Sequence, residues 1–248
     1  MDERQITAII SEKGPINFRN LLALAKPADR AIVELKVLHM VKKGVLRAER
    51  AGKDIMLAMG VPVEVPATGF SNAEVALVVT LPVGVSARHM GPTGYMDMLD
   101  ALTLLITGAR RELRICSPFA DYETVAVLYP SFRKAASKGV YVKILVRSAS
   151  SHKLLTTLKG IKDIYSKLGM PERFAVRRYE VSVAGLLVEA VHAKLVISDR
   201  DAAYVGSGEL RKHSLTADVE VGVLMRGAAV MQLVELFDAV WERAEKLI

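Results

Sequence analysis

The sequence predicts an α/β protein: a layered α/β/α sandwich on a mixed sheet, preceded by a small winged helix-turn-helix unit. Two patterns and one break in composition carry that prediction. From about residue 73 onward, apolar strand-like runs alternate with runs of helical period, the pattern of helices packed on the faces of a sheet. Residues 1–60 read instead as three helices followed by a hairpin. Between them, the stretch that opens with Val61-Pro62 and contains Pro66 has the composition of a linker. The expected organisation is a winged helix over 1–60, a linker over 61–72 and the sandwich over 73–248.

In the first unit, Ile6, Ile9 and Ile10 share one face of a helix from Asp2 to Glu12, which Gly14-Pro15 stops. Asn17 is placed to cap a second helix, in which Phe18, Leu21, Leu22 and Ala25 recur at helical spacing before Pro27. A third helix starts at the N-cap Asp29, carries Ile32, Leu35, Leu38 and Val41 on one face, and ends at Gly44 after Lys42-Lys43. Strands over Val45–Arg50 and Asp54–Met59 flank the turn Ala51-Gly52-Lys53. The unit holds eleven Lys/Arg and seven Asp/Glu, a net of +4 (11 minus 7) out of +7 for the chain. That suits DNA, with the third helix in the major groove, Arg30 and Lys36 reading bases, and Arg47, Arg50 and Lys53 on phosphates. Val33, Val37 and Met40 make the other faces of the same helix apolar, which suits a dimerisation or packing role instead.

In the second part, strands are expected near Val75–Leu81, Glu112–Ser117, Tyr141–Arg147, Arg173–Arg178, Ala193–Ser198, Ala203–Val205 and Val219–Met225. Helices near Tyr95–Arg110, Tyr122–Ser137 and Lys153–Leu168 separate them. A last helix from Ala228 bears Val230, Leu233, Phe237, Val240, Trp241 and Ala244 as a core-facing stripe.

Composition narrows the function classes. With 51% hydrophobic and 25% charged residues the chain can bury a sizeable core, which excludes a disordered protein. The apolar runs are too short to span a bilayer and Met1-Asp2-Glu3-Arg4 lacks a secretory pattern, so a cytoplasmic protein with no membrane partner is expected. The single Cys116 excludes an intramolecular disulfide and a zinc site built on thiolates. A net charge of +7 suits a polyanionic partner. Gln5, Asn17, Asn20, Asn72 and Gln232 are the only side-chain amides, a scarcity that fits a thermophile.

The chemistry-bearing residues cluster late in the chain. His192 and Lys194 alternate, so on a strand both project from one face, an imidazole beside an ammonium. Asp199 follows, and Gly206-Ser207-Gly208 then forms a turn whose glycines let backbone N–H groups approach an anion. Such a set can hold a phosphate, attack it and stabilise its charge.

The pattern His192-x-Lys194-x4-Asp199-x6-Gly206-Ser207 resembles the signature of the phospholipase D superfamily. The stretches Ala109–Phe119, Ala136–Leu145 and Ser214–Val223 are similar to that family's flanking elements, so the resemblance spans roughly 75–245. It implies a phospholipase D-like α/β/α sandwich and a metal-independent phosphodiesterase with no cofactor. The basic first unit turns this toward a nuclease acting on nucleic acid, DNA ahead of RNA.

His39, His89, His152 and His213 lack the lysine and aspartate at the right spacing, so the motif occurs once. Single-copy members of the family are homodimers, in which two copies of His192 would face one phosphate. One attacks to form a phosphohistidine while the other protonates the leaving oxygen. Lys194 and Ser207 would stabilise the equatorial oxygens, Glu220 would fix the tautomer of His192, and Asp199 completes the set with a structural role. Gly206, Gly208 and Glu209 would line the substrate.

One position departs from the family. Asparagine is usual where Glu209 stands, and an ionised carboxylate cannot donate a hydrogen bond to a phosphate. Either Glu209 points away, or it pairs with Lys194 or Arg211, or catalysis is weakened or lost. The last case leads to the alternative reading, a DNA-binding transcriptional regulator whose phospholipase D-like domain senses a ligand or only dimerises. A lipid phosphodiesterase has least support, for want of an amphipathic surface helix rich in Lys and aromatic residues.

Overall fold

The computed structural model describes residues 1–51, 54–60, 75–82, 94–147, 152–184 and 186–248. The expected linker over 61–72, Lys53 and the side chain of Arg50 lie outside them.

The chain begins with α1 (Glu3–Lys13), closed by a capping box in which Asp2 and Gln5 each accept the other's backbone N–H, at 2.9 and 2.8 Å. A short β1 (Ile16–Asn17) leads into α2 (Phe18–Ala23), capped as expected by Asn17, and a 3₁₀ turn over Pro27–Asp29 leads into α3 (Arg30–Lys42). The strands β2 (Leu46–Ala51) and β3 (Asp54–Met59) pair antiparallel, and β1 joins the other edge of β3. Ile6, Ile10, Leu21, Val33, Val37, Met40, Leu46 and Leu57 form a core belonging to this unit alone.

The predicted face of α3 differs from the observed one. Val33, Val37 and Met40 point into the N-terminal core, whereas Leu35 is buried in the core of the large sheet. A helix apolar all round is one covered on more than one side.

The remaining elements are β4 (Val75–Thr80), β5 (Met96–Asp97), α4 (Met98–Gly108), β6 (Glu112–Cys116), α5 (Tyr122–Ser137), β7 (Tyr141–Val146), α6 (His152–Lys167) and β8 (Phe174–Arg178). They continue with β9 (Glu180–Val183), β10 (Leu186–Ala190), β11 (Leu195–Ser198), β12 (Ala202–Gly206), α7 (Lys212–Thr216), β13 (Glu220–Arg226), α8 (Ala228–Arg243) and β14 (Glu245–Lys246). Among the described residues, nine strands form one mixed sheet in the order β14-β8-β7-β6-β11-β12-β13-β4-β5. The strands β6, β7 and β8 run parallel, joined by α5 and α6, while β11, β12, β13 and β4 zigzag antiparallel from β6 outward.

Alternation along each strand divides its residues between two layers. Leu113, Ile115, Val142 and Ile144 pack beneath α4, α5 and α6. On the opposite face Cys116, Leu145, Leu195 and Ile197 pack against Val230, Val234, Phe237 and Trp241 of α8, the stripe expected for the last helix. The β9–β10 hairpin, which the sequence did not suggest, stands apart from the large sheet and leads directly to His192.

Candidate active site

The site lies where β11 enters the middle of the sheet. Leu195 pairs with Cys116 on one side and Val205 on the other. The strand starts only there, so His192 and Lys194 precede it rather than lying on it as expected. Two hydrogen bonds hold this approach: the Cys116 thiol donates to Ala193 O at 3.2 Å, and Gly206 N donates to Lys194 O at 3.3 Å.

The expected pairing of imidazole and ammonium is present, with Lys194 Nζ 3.3 Å from His192 Nδ1. The same Nζ lies 3.1 Å from His192 O and 3.2 Å from Glu209 Oε1. The two His192 atoms take hydrogen bonds from the ammonium, and the Glu209 carboxylate is its ion-pair partner. Where Nδ1 of His192 accepts from that ammonium, a neutral ring carries its proton on Nε2. The imidazole is exposed, whereas the Lys194 and Glu209 side chains are 14% and 11% accessible.

Ser207 is exposed at the end of β12, and its hydroxyl donates to the Glu220 carboxylate. Its Oγ accepts from Val221 N at 3.1 Å, which ties the loop to the start of β13. Glu220 was expected on His192; its described partner is Ser207, because Gly206 and Gly222 pair across β12 and β13 and bring residues 207 and 220 together.

Asp199 follows β11, five positions beyond Lys194 and about 16 Å away at a strand's rise. Its carboxylate accepts from the backbone N–H groups of Arg110, Arg111 and Glu112, the closest at 2.7 Å. It holds the turn before β6, the structural role, and is not brought to His192.

The glycine turn also differs from expectation. Gly206 N is given to Lys194 O, Ser207 N to Val221 O and Gly208 N to the Tyr204 hydroxyl, so none of the three faces an anion. Packing leaves little room for a side chain at either glycine, and at Gly206 the obstacle is backbone. A Cβ on Gly206 would fall 2.7 Å from Gly222 Cα and against the Tyr204 hydroxyl, and one on Gly208 would strike Met98.

Tyr204 was missed by sequence reasoning; it is buried, its hydroxyl receives Gly208 N at 3.3 Å, and burial pushes its pKa up to about 12. Only the strand order could have revealed it. Burial likewise raises the Cys116 thiol to about 12, so it stays neutral beside Lys194. Among the described residues, no group of three or more His, Cys, Asp or Glu is placed to hold a metal ion.

The residues expected on DNA are dispersed. Arg30 is exposed at the start of α3, Arg47 is exposed and paired with Glu49 at 3.1 Å, and Lys36 is half-buried and donates to Met1 O at 3.3 Å. The helix itself is docked on the large sheet's helices. Lys42 lies 3.3 Å from Asp97 and donates to Leu215 O at 2.8 Å, Lys43 lies 2.8 Å from Asp100, and Lys212 pairs with Glu34. A helix held this way along its length does not present a free face to a groove.

A family model described as "Cardiolipin synthase, PLD-like domain" matches residues 102–241, more than half of the 248-residue chain and inclusive of His192 to Glu220. The chain belongs to this phospholipase D-like family. Among solved structures it is similar to Nuc of Salmonella typhimurium, a phospholipase D family member, at 18% identity and TM-score 0.47 over 70% of this chain and 99% of that one. NucT from Helicobacter pylori gives 18% and 0.48 over 60% and 91%, and TrmBL2, an archaeal chromatin protein, 18% and 0.45 over 97% and 92%. No curated protein sequence matches the chain.

Proposed function

We propose that the protein is a metal-independent phosphodiesterase, a nuclease acting on DNA through a phosphohistidine at His192 in a homodimeric site. The observation that carries this is the exposed imidazole of His192 held 3.3 Å from Lys194 within a phospholipase D-like domain. Nε2 of one His192 attacks phosphorus, forming the P–N bond as the P–O bond to the leaving oxygen breaks, and the partner's His192 gives that oxygen a proton. Water then attacks phosphorus, losing its proton to the partner's His192 as the P–N bond breaks. Attack through Nε2 needs the ring proton on Nδ1, so Lys194 must leave Nδ1 as substrate oxygens take its hydrogen bonds.

Exposed apolar side chains beside the site support dimerisation. Leu186 is 72% exposed on the hairpin leading to His192, and Val219 and Val221, 62% and 53%, flank Glu220. By register Val75, Leu77 and Val221 share one sheet face, next to the area α8 covers. Residues 1–60, which we read as a winged helix, would serve as the nucleic-acid handle through surfaces other than the docked length of α3.

The test is hydrolysis of bis(4-nitrophenyl) phosphate and nicking of plasmid DNA in EDTA, with His192→Ala as control. Activity lost in the variant supports the reading. The Lys194–Glu209 pair favours a second reading, a DNA-binding regulator with an inactive domain. Absence of hydrolysis of either substrate, with salt-dependent DNA binding retained, would establish that one instead.

A further inference from the structure

We propose that Glu209 is an internal ligand of the phosphate subsite, its carboxylate pairing with the Lys194 ammonium that a substrate phosphate must engage. The inference rests on reading His192 and Lys194 as the phosphate-handling groups. Lys194 Nζ donates to His192 O at 3.1 Å, lies 3.3 Å from His192 Nδ1, and forms an ion pair with Glu209 Oε1 at 3.2 Å. The charge of the ammonium is thus already met by a carboxylate before any anion arrives. Of these three neighbours only Glu209 is an anion, and exchanging it for a phosphate oxygen is a like-for-like replacement.

The carboxylate is placed there by the fold. Gly208 N donates to the buried Tyr204 hydroxyl at 3.3 Å, and Leu210 N donates to the buried Ser117 Oγ at 2.9 Å. The residues on both sides of Glu209 are thus anchored in the core. With Lys194 and Glu209 only 14% and 11% exposed, the ion pair is screened little by water, and a second anion at Lys194 meets the full opposition of the first.

The consequence is a specificity. A small free anion must displace Glu209 unaided. A nucleic acid held by contacts elsewhere on the protein presents its phosphate at high effective concentration and can drive the exchange. Glu209 therefore biases the site toward tethered polyanions and against inorganic phosphate and small phosphoesters.

The test is the rise in thermal unfolding midpoint on titrating inorganic phosphate, for the full chain, Glu209→Gln and Glu209→Asn. Both variants should bind phosphate about tenfold more tightly or better, as expected when one opposing charge is removed at close range. Adding Lys194→Met to either should abolish the gain. Phosphate affinity equal to or below wild type in a folded variant overturns the proposal. So does failure of both variants to fold, since the pair would then be structural. Tighter phosphate binding with no diester hydrolysis by any of these proteins would sink the phosphodiesterase reading and leave this inference standing.

Discussion

The imidazole of His39 on α3 lies 3.5 Å from Asp97, the residue whose carboxylate caps α4, and so joins the N-terminal unit to the large sheet's helices. The ring's other nitrogen lies 3.4 Å from Asp100. Burial alone would lower the pKa of His39, but hydrogen bonds to Asp100 and Asp97 and their charges outweigh it and hold it up at about 9. The same contacts, with Lys42 and Lys43, keep both carboxyls below their ordinary range against the effect of burial.

A pH dependence of stability follows from that clamp. The folded pKa lies above the unfolded value of 6.5, so the contribution is complete below about pH 6.5 and is lost as pH rises through 9. Its size is on the order of 3 kcal/mol. Urea unfolding of the wild type should weaken across this window, and His39→Gln should be weaker at neutral pH with a flat profile. Equal slopes in the two proteins would contradict the assignment.

Asp199 is predicted to act on stability alone. Removing its carboxylate orphans the N–H groups of Arg110, Arg111 and Glu112, at a cost of about 2 kcal/mol, or about 4–8 °C in Tm. Asp199→Ala should show this loss with kcat per folded molecule retained. A large fall in kcat with Tm unchanged would return Asp199 to the chemistry.

Gly206 should be intolerant because of Tyr204 rather than because of an anion. Gly206→Ala is expected to destabilise by about 1–3 kcal/mol, since the new methyl meets Tyr204 and Gly222. Tyr204→Phe in the same background should recover part of the loss but not all, because the Gly222 backbone remains 2.7 Å away. Additive effects in the double-mutant cycle would rule out this contact.

Ser207 and Glu220 form one unit through their hydrogen bond. Ser207→Ala and Glu220→Gln should each lower kcat/KM, and the double variant should lose little beyond the worse single, a coupling of about 0.5–3 kcal/mol. Unaltered turnover in Glu220→Gln would remove that residue from the site.

The alternation of strands and helices and the spacing from His192 to Ser207 were legible in the sequence because period and motif are local properties. Asn17 as a cap and Gly44 as the stop after α3, with φ at 72°, were legible for the same reason. The apolar encirclement of α3 was visible too, but which side met which partner depends on tertiary placement, and Leu35 and Val37 go to different cores. The Lys194–Glu209 pair was one of the alternatives the sequence offered, but selecting it, and finding the Ser207–Glu220 contact at all, needed the order β11-β12-β13. The β9–β10 hairpin escaped notice because its exposed Leu186, Leu187 and Val188 run consecutively, without the alternation that marks a strand with one buried face.

The claim that His192 is the nucleophile is tested most directly by trapping the intermediate. Protein quenched in alkali during turnover of a phosphodiester in EDTA, then digested for mass spectrometry, should carry the phosphoryl adduct on the peptide containing His192. The His192→Ala protein should carry none. Steady turnover with no adduct on that peptide, or an adduct that persists in His192→Ala, would contradict the account.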